Sequence, residues 1–196
     1  MSLSRPTRRT RPLAGAALAA AGALALLLSG CAGDAPAPSP SPSADAAEPI
    51  FASDEEALAA AVEAYEAFVA VSDQLSANPD GDPSIIESVV TSRYAPEFIG
   101  SLAEFHESGL STTGEITRNG FELAQASETS DQLADVQIYV CVDYTGSDIV
   151  NSAGEVVTPE DRPATHRSIV RLLGDEARST QLLVDSTELW DSSEGC

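Results

Sequence analysis

The sequence predicts an α+β domain: N-terminal helices packed on one face of a curved, mainly antiparallel sheet. Three observations carry this. Apolar residues between Ser53 and Gly109 recur with the period of a helix, and those beyond Gly109 alternate with the period of a strand. The helical segments also all precede the extended ones. The stretch from residue 53 to 196 is long enough for one domain that buries ~two-thirds of its unfolded surface.

Ser53 reads as an N-cap, and Glu56 three residues on completes a capping box. Leu58, Ala61, Val62, Tyr65, Phe68, Val69, Ser72 and Leu75 then line one face, until Asn78-Pro79-Asp80-Gly81 ends the helix. A second helix is expected from Asp82 as N-cap and Pro83 as first residue, with Ile85, Ile86, Val89 and Val90 on its apolar side. After a break near Tyr94, Ala95-Pro96-Glu97 opens a third. Its buried stripe is Phe98, Ile99, Leu102 and Phe105, and Gly109 stops it.

Glu115–Ser127 is the first expected strand, with Ile116, Phe121, Leu123 and Ala126 apolar and Gly120 at a bulge. Along Asp135–Tyr144, Val136, Ile138, Val140 and Val142 alternate with Gln137, Tyr139, Cys141 and Asp143. Cys141 therefore lies on the face away from the valines. Asn151-Ser152-Ala153-Gly154 is a turn from that strand to a short one at Glu155–Thr158. Thr165–Leu173 and Gln181–Trp190 complete the sheet.

The first 30 residues read as a secretory signal. Arg5, Arg8, Arg9 and Arg11 precede a charge-free apolar run from Leu13 to Leu28, which ends in small residues. The run is too short and too rich in Ala and Gly for a membrane span of ~20 apolar residues. Leu28-Ser29-Gly30-Cys31 resembles the lipobox of bacterial lipoproteins. That resemblance implies cleavage before Cys31, a lipid on its thiol, and a mature chain anchored at the extracytoplasmic face of the cell membrane. Residues 31–52, rich in Pro, Ser and Ala, then form a disordered tether ahead of a single domain at 53–196.

Without the signal, six arginines and no lysine face 31 acidic residues, a formal charge of −25. Such a balance excludes nucleic acid and electrostatic attachment to anionic lipid as binding modes. It suits a solvated acidic surface, weak cation binding or a basic partner. With Cys31 lipidated, Cys141 and Cys196 remain as an even pair in an oxidising compartment, which favours a disulfide closing a loop of roughly 55 residues. Two unrelated thiols or a metal pair are the alternatives, and no neighbouring His or Cys supports the metal. A disulfide requires the last strand to run close to Asp135–Tyr144, with Trp190 near Cys141.

Three helices followed by hairpinned strands resemble the nuclear transport factor 2-like fold, a cone of curved sheet closed by helices. More narrowly, the chain resembles small actinobacterial envelope lipoproteins that carry this domain. The residues behind the resemblance are Leu28-Ser29-Gly30-Cys31, Tyr139-Val140-Cys141-Val142-Asp143, the Gly154-Glu155-Val156-Val157 hairpin, Leu189-Trp190 and Gly195-Cys196. The resemblance implies a possible pocket inside the cone, and isomerase or dehydratase chemistry by Asp, His or Tyr in some relatives. It also implies a monomer or a dimer formed through the open sheet face.

The acid–base candidates are His106, His166, Asp143, Tyr65 and Tyr139. General-base chemistry needs partners within hydrogen-bond reach and a tuned pKa. His166, beside Arg167, reads as a solvent-facing or rim residue, and His106 suits the negative end of its helix. Ser76, Asn78, Asp80, Gly81 and Glu87 match the spacing of a calcium loop, except that Ser76 stands at the first position and Pro83 at the eighth. A plain turn followed by a helix start explains the same residues. The aromatics, with Trp190 the last, either fill the core or line an apolar pocket. No cofactor is expected. The reading is a lipid-anchored, non-enzymatic accessory or protein-interaction domain. The alternative is a small-molecule-binding protein or isomerase-like enzyme on the same cone.

Overall fold

The computed structural model describes residues 49–175, 178–190 and 196, apart from the side chains of 178–180. The signal, Cys31 and the tether up to residue 48 lie outside the described residues. Helix α1 spans Asp54–Ala77, with the Ser53 hydroxyl accepting from the Glu56 N–H (3.2 Å) and the Glu56 carboxylate accepting from the Ala52 N–H (2.8 Å). It buries Ala57, Ala61, Tyr65, Phe68 and Leu75. Ile50 and Phe51, assigned to the tether by sequence, pack against the same core.

The expected second helix is a six-residue 3-10 helix, Pro83–Ser88. Asp82 does cap it, accepting from the Ser84 N–H at 3.0 Å. It stops early because the next residues are recruited by the sheet: the Thr91 N–H donates to the Val184 carbonyl (2.9 Å), and the Val184 N–H to that of Val89 (3.1 Å). Helix α2, Ala95–Glu107, follows, and Gly109 leaves it with φ +73° as a stop of this kind requires.

The strands are β1 Leu110–Gly114, β2 Thr117–Glu128, β3 Ala134–Asp143, β4 Ser147–Asn151, β5 Thr165–Asp175 and β6 Arg178–Leu189. Four of them form an antiparallel sheet in the order β2-β3-β5-β6, and β1 pairs with β4. The sheet is open and does not close into a barrel. One expectation changes here. β1 and β4 were not expected; they continue the β2–β3 ladder beyond a bend, and the Asn151–Gly154 turn leads from β4 rather than from β3. The bend depends on glycine. A Cβ on Gly114, whose φ is +82°, would collide with the Gly146 carbonyl, and one on Gly146 would lie 2.8 Å from the Glu115 carbonyl oxygen. The last strand ends close to the cysteine strand as expected, with β5 between them and Trp190 against Tyr139.

The core lies between α1 and the inner sheet face. Val136, Ile138, Val140 and Val142 of β3 are buried, as are Val170 and Leu172 of β5 and Leu182 and Val184 of β6. The bulge expected at Gly120 is present, with φ +63° and a register shift between Asn119 and Glu122.

Candidate functional site

The space between α1 and the sheet is filled by rings. Tyr65 packs on Phe68 (6.1 Å between centroids) and Phe121 (6.1 Å), Phe68 on Phe98 (5.9 Å), and Phe98 on Tyr94 (6.5 Å). The last three of these contacts are edge-to-face, a packing that stabilises a core beyond its buried area. None of these four clustered rings, nor Tyr94, lines the principal surface clefts.

At the edge of this cluster sits a half-buried polar group. The Arg118 guanidinium donates to both Asp73 oxygens (2.6 and 2.7 Å) and to the Ile116 carbonyl (2.8 Å). Burial pushes the Tyr65 phenol up, and the neighbouring Arg118 charge offsets part of that rise. Burial likewise raises Tyr144, whose ring contacts His166 (5.1 Å) and Arg162 (5.3 Å). His166 is thus not a solvent-facing residue. Register opposite Val142 puts it on the inner face, half-buried, and desolvation lowers its pKa.

The acid–base candidates are not brought together. Asp143 pairs with Thr165 and so lies on the opposite sheet face from His166. It caps its own turn, accepting from the Thr145 N–H (2.8 Å) and hydroxyl (2.7 Å), which lowers its pKa. His106 lies at the end of α2, with Nε2 3.4 Å from the Ser76 carbonyl oxygen. Tyr139 is on the outer face beneath the Arg167 guanidinium (4.4 Å) and against Trp190 (4.9 Å). Asn78 and Asp80 form a turn, the Asp80 N–H donating to Asn78 Oδ1 at 3.3 Å, and Glu87 is exposed on the 3-10 helix. Among the described residues no group of three or more His, Cys, Asp or Glu side chains gathers to hold a metal ion.

Cys141 and Cys196 lie at disulfide distance, with 5.4 Å between their α-carbons. The Trp190 N–H donates to the Arg167 carbonyl, and Arg167 pairs with Cys141. The C-terminal residue therefore reaches Cys141 from the far side of β5.

A cleft of about 1240 Å³ opens between the 90–100 segment and the β5–β6 hairpin end, with Val90, Pro96, Ile99, Leu173 and Leu183 along it. At its side lies Asp185, 1 % exposed, in a β6 bulge. Its carboxylate accepts from the Thr91 hydroxyl (2.8 Å), from Arg93 Nε (3.0 Å) and Nη2 (2.5 Å), and from Arg171 Nη1 (3.4 Å). Arg171 also grips Asp135. Sequence reasoning missed this network. Its one signal was an acid directly after the apolar run Leu182-Leu183-Val184, with Arg171 on a neighbouring strand.

No family model and no curated protein matches the chain. Among solved structures, the intermembrane space region of the chloroplast protein ARC6 is similar, with a TM-score of 0.44 and 14% identity, covering 66% of this chain and 96% of that one. A likeness at that level does not extend to function. Among the described residues no helix is long and apolar enough to cross a membrane.

Proposed function

We propose that this chain is an extracytoplasmic lipoprotein, anchored through Cys31, whose domain is a filled variant of the nuclear transport factor 2-like cone and works by binding another protein. The observation that carries the reading is the filled interior. Where a ligand-binding cone needs room, Tyr65, Phe68, Phe98 and Phe121 pack on one another, and the titratable candidates sit apart on both faces of the sheet. The lipobox-like Leu28-Ser29-Gly30-Cys31 supports the anchor, and the Cys141–Cys196 pair suits an oxidising compartment.

Two measurements test this. In a bacterium that processes lipoproteins, the mature protein should partition into detergent with a diacylglyceryl mass on Cys31, and Cys31→Ser should move it to the aqueous phase. Cross-linking in intact cells should trap the wild-type chain in a heteromeric adduct. Unchanged partitioning of Cys31→Ser removes the anchor, and a chain that never cross-links removes the interaction.

A further inference from the structure

We infer that the extended segment Glu155–Thr158, expected as a strand but joined to the rim of the β1–β4 ladder only by a bridge from Val156 to Val150, accepts a lysine- or arginine-rich segment of a partner protein as an added β-strand. This rests on the interaction reading above and names its surface.

Val156 and Val157 are consecutive and 61 % and 42 % exposed, two of the five large apolar residues left open on the described surface. Neighbouring residues of an extended segment point to opposite faces, so both sides of this one present a valine to solvent. The backbone tells which edge is free. The Asn151 N–H donates to the Glu155 carbonyl (3.0 Å), and the Val157 N–H to that of Ile149 (2.8 Å). Residues 155 and 157 therefore bond inward to β4, and Val156 turns its N–H and C=O outward, where no described residue meets them.

Two of the other edges are less open to such pairing. The rim of β6 is covered by its own chain through Val89–Thr91, and β2 is interrupted by two register shifts. Those are ordinary defences of a sheet edge. Glu155-Val156-Val157-Thr158 lacks them. It contains no Lys, Pro or bulge and has strong strand propensity.

Charge selects the occupant. Asp148, Glu155, Glu160 and Asp161 surround the strand in sequence. The nearby cation, Arg162, is turned inward onto the carbonyls of Tyr144 (3.2 Å) and Ser147 (2.5 Å). Elsewhere Arg93, Arg118, Arg167 and Arg171 are each ion-paired within the fold. A second copy would bring the same negative field against itself, whereas a basic strand would gain both ladder hydrogen bonds and charge attraction.

The test uses the mature lipid-bearing chain in detergent micelles, with the blocked peptide (Lys-Val)3 as probe and (Glu-Val)3 as its control. The basic peptide should slow exchange of the Val156 amide roughly tenfold, leave the Val157 amide unchanged, and be outcompeted by salt; the acidic peptide should not bind. Val156→Pro removes only an outward N–H, a substitution edge strands tolerate, and should weaken binding roughly tenfold. Val156→Lys keeps the backbone intact and should weaken it by charge. Binding unaffected by either variant, or spread over the surface, overturns the proposal. Self-association lost in Val156→Pro overturns the partner in favour of a second copy. If no peptide binds while the cellular heteromeric adduct persists, this edge is wrong and the interaction reading stands; if the adduct is missing too, both fall.

Discussion

Replacing Asp185 by Ala should destabilise the domain by about 2–4 kcal/mol. The carboxylate is 1 % exposed and gathers donors from Thr91, Arg93 and Arg171, tying the segment after the 3-10 helix to the bulge in β6. A hydrogen bond to a charged group contributes roughly 1.5–3 kcal/mol and a neutral one about 1. Breaking a fully buried pair costs roughly 3–5 kcal/mol. Here the orphaned partners have relief: the Arg93 side chain is 62 % exposed and Arg171, 39 % exposed, keeps Asp135. The loss therefore falls towards the low end, and at about 2–4 °C per kcal/mol the melting temperature should drop roughly 4–16 °C. Burial alone would raise the Asp185 pKa. The hydrogen bonds from Arg93 and Thr91 and the charges of Arg93 and Arg171 outweigh it, and the carboxyl titrates below its ordinary value. A folded pKa below the unfolded one stabilises fully above the ordinary carboxyl pKa of ~3.9 and is lost as pH falls through the folded value. Asp185→Asn, nearly isosteric, should thus lie below wild type at pH 7, and the gap should narrow as pH falls below about 4. Thermal unfolding by circular dichroism reads both. A melting temperature for Asp185→Ala within about 1 °C of wild type would show that desolvation cancels the network, and the clamp argument would fail.

Phe68→Ala, at a site 6 % exposed between Tyr65 and Phe98, should cost about 3–5 kcal/mol in chemical denaturation, and Phe98→Ala, only half-buried, clearly less. Equal losses would mean the ring cluster is not the core. Gly114→Ala should cost more than the ~1–3 kcal/mol of a left-handed alanine, because its methyl also meets the Gly146 carbonyl. Nuclear magnetic resonance should find the β1–β4 ladder lost and the four-stranded sheet retained; an unchanged ladder refutes the bend. Cys196→Ser should lower stability by up to about 4 kcal/mol under oxidising conditions and have no effect in reductant, with two free thiols in wild type as the contrary result.

The sequence by itself determined what depends on neighbours along the chain. The Ser53 cap, the apolar face from Ala61 to Leu75, the glycine stops and the valine alternation of β3 are all set by periods and turn chemistry within one element. It also placed Cys141 on the outer face, since alternation alone decides that. Tertiary structure decided what depends on partners far away in sequence. The 3-10 helix ended early because β6 competed for the backbone of Val89–Thr91. β1 and β4 carry weak patterns, Leu-Ser-Thr-Thr-Gly and Ser-Asp-Ile-Val-Asn, and become strands only because each supplies the other's hydrogen bonds across a bend that Gly114 and Gly146 permit. His166 faces inward through its register with Val142, and Asp185 is tolerated in an apolar strand through guanidinium groups from two other segments. Local pattern fixes which face a residue occupies within its strand. Only the pairing of strands decides which face is buried, what closes each edge, and so which edge is left open.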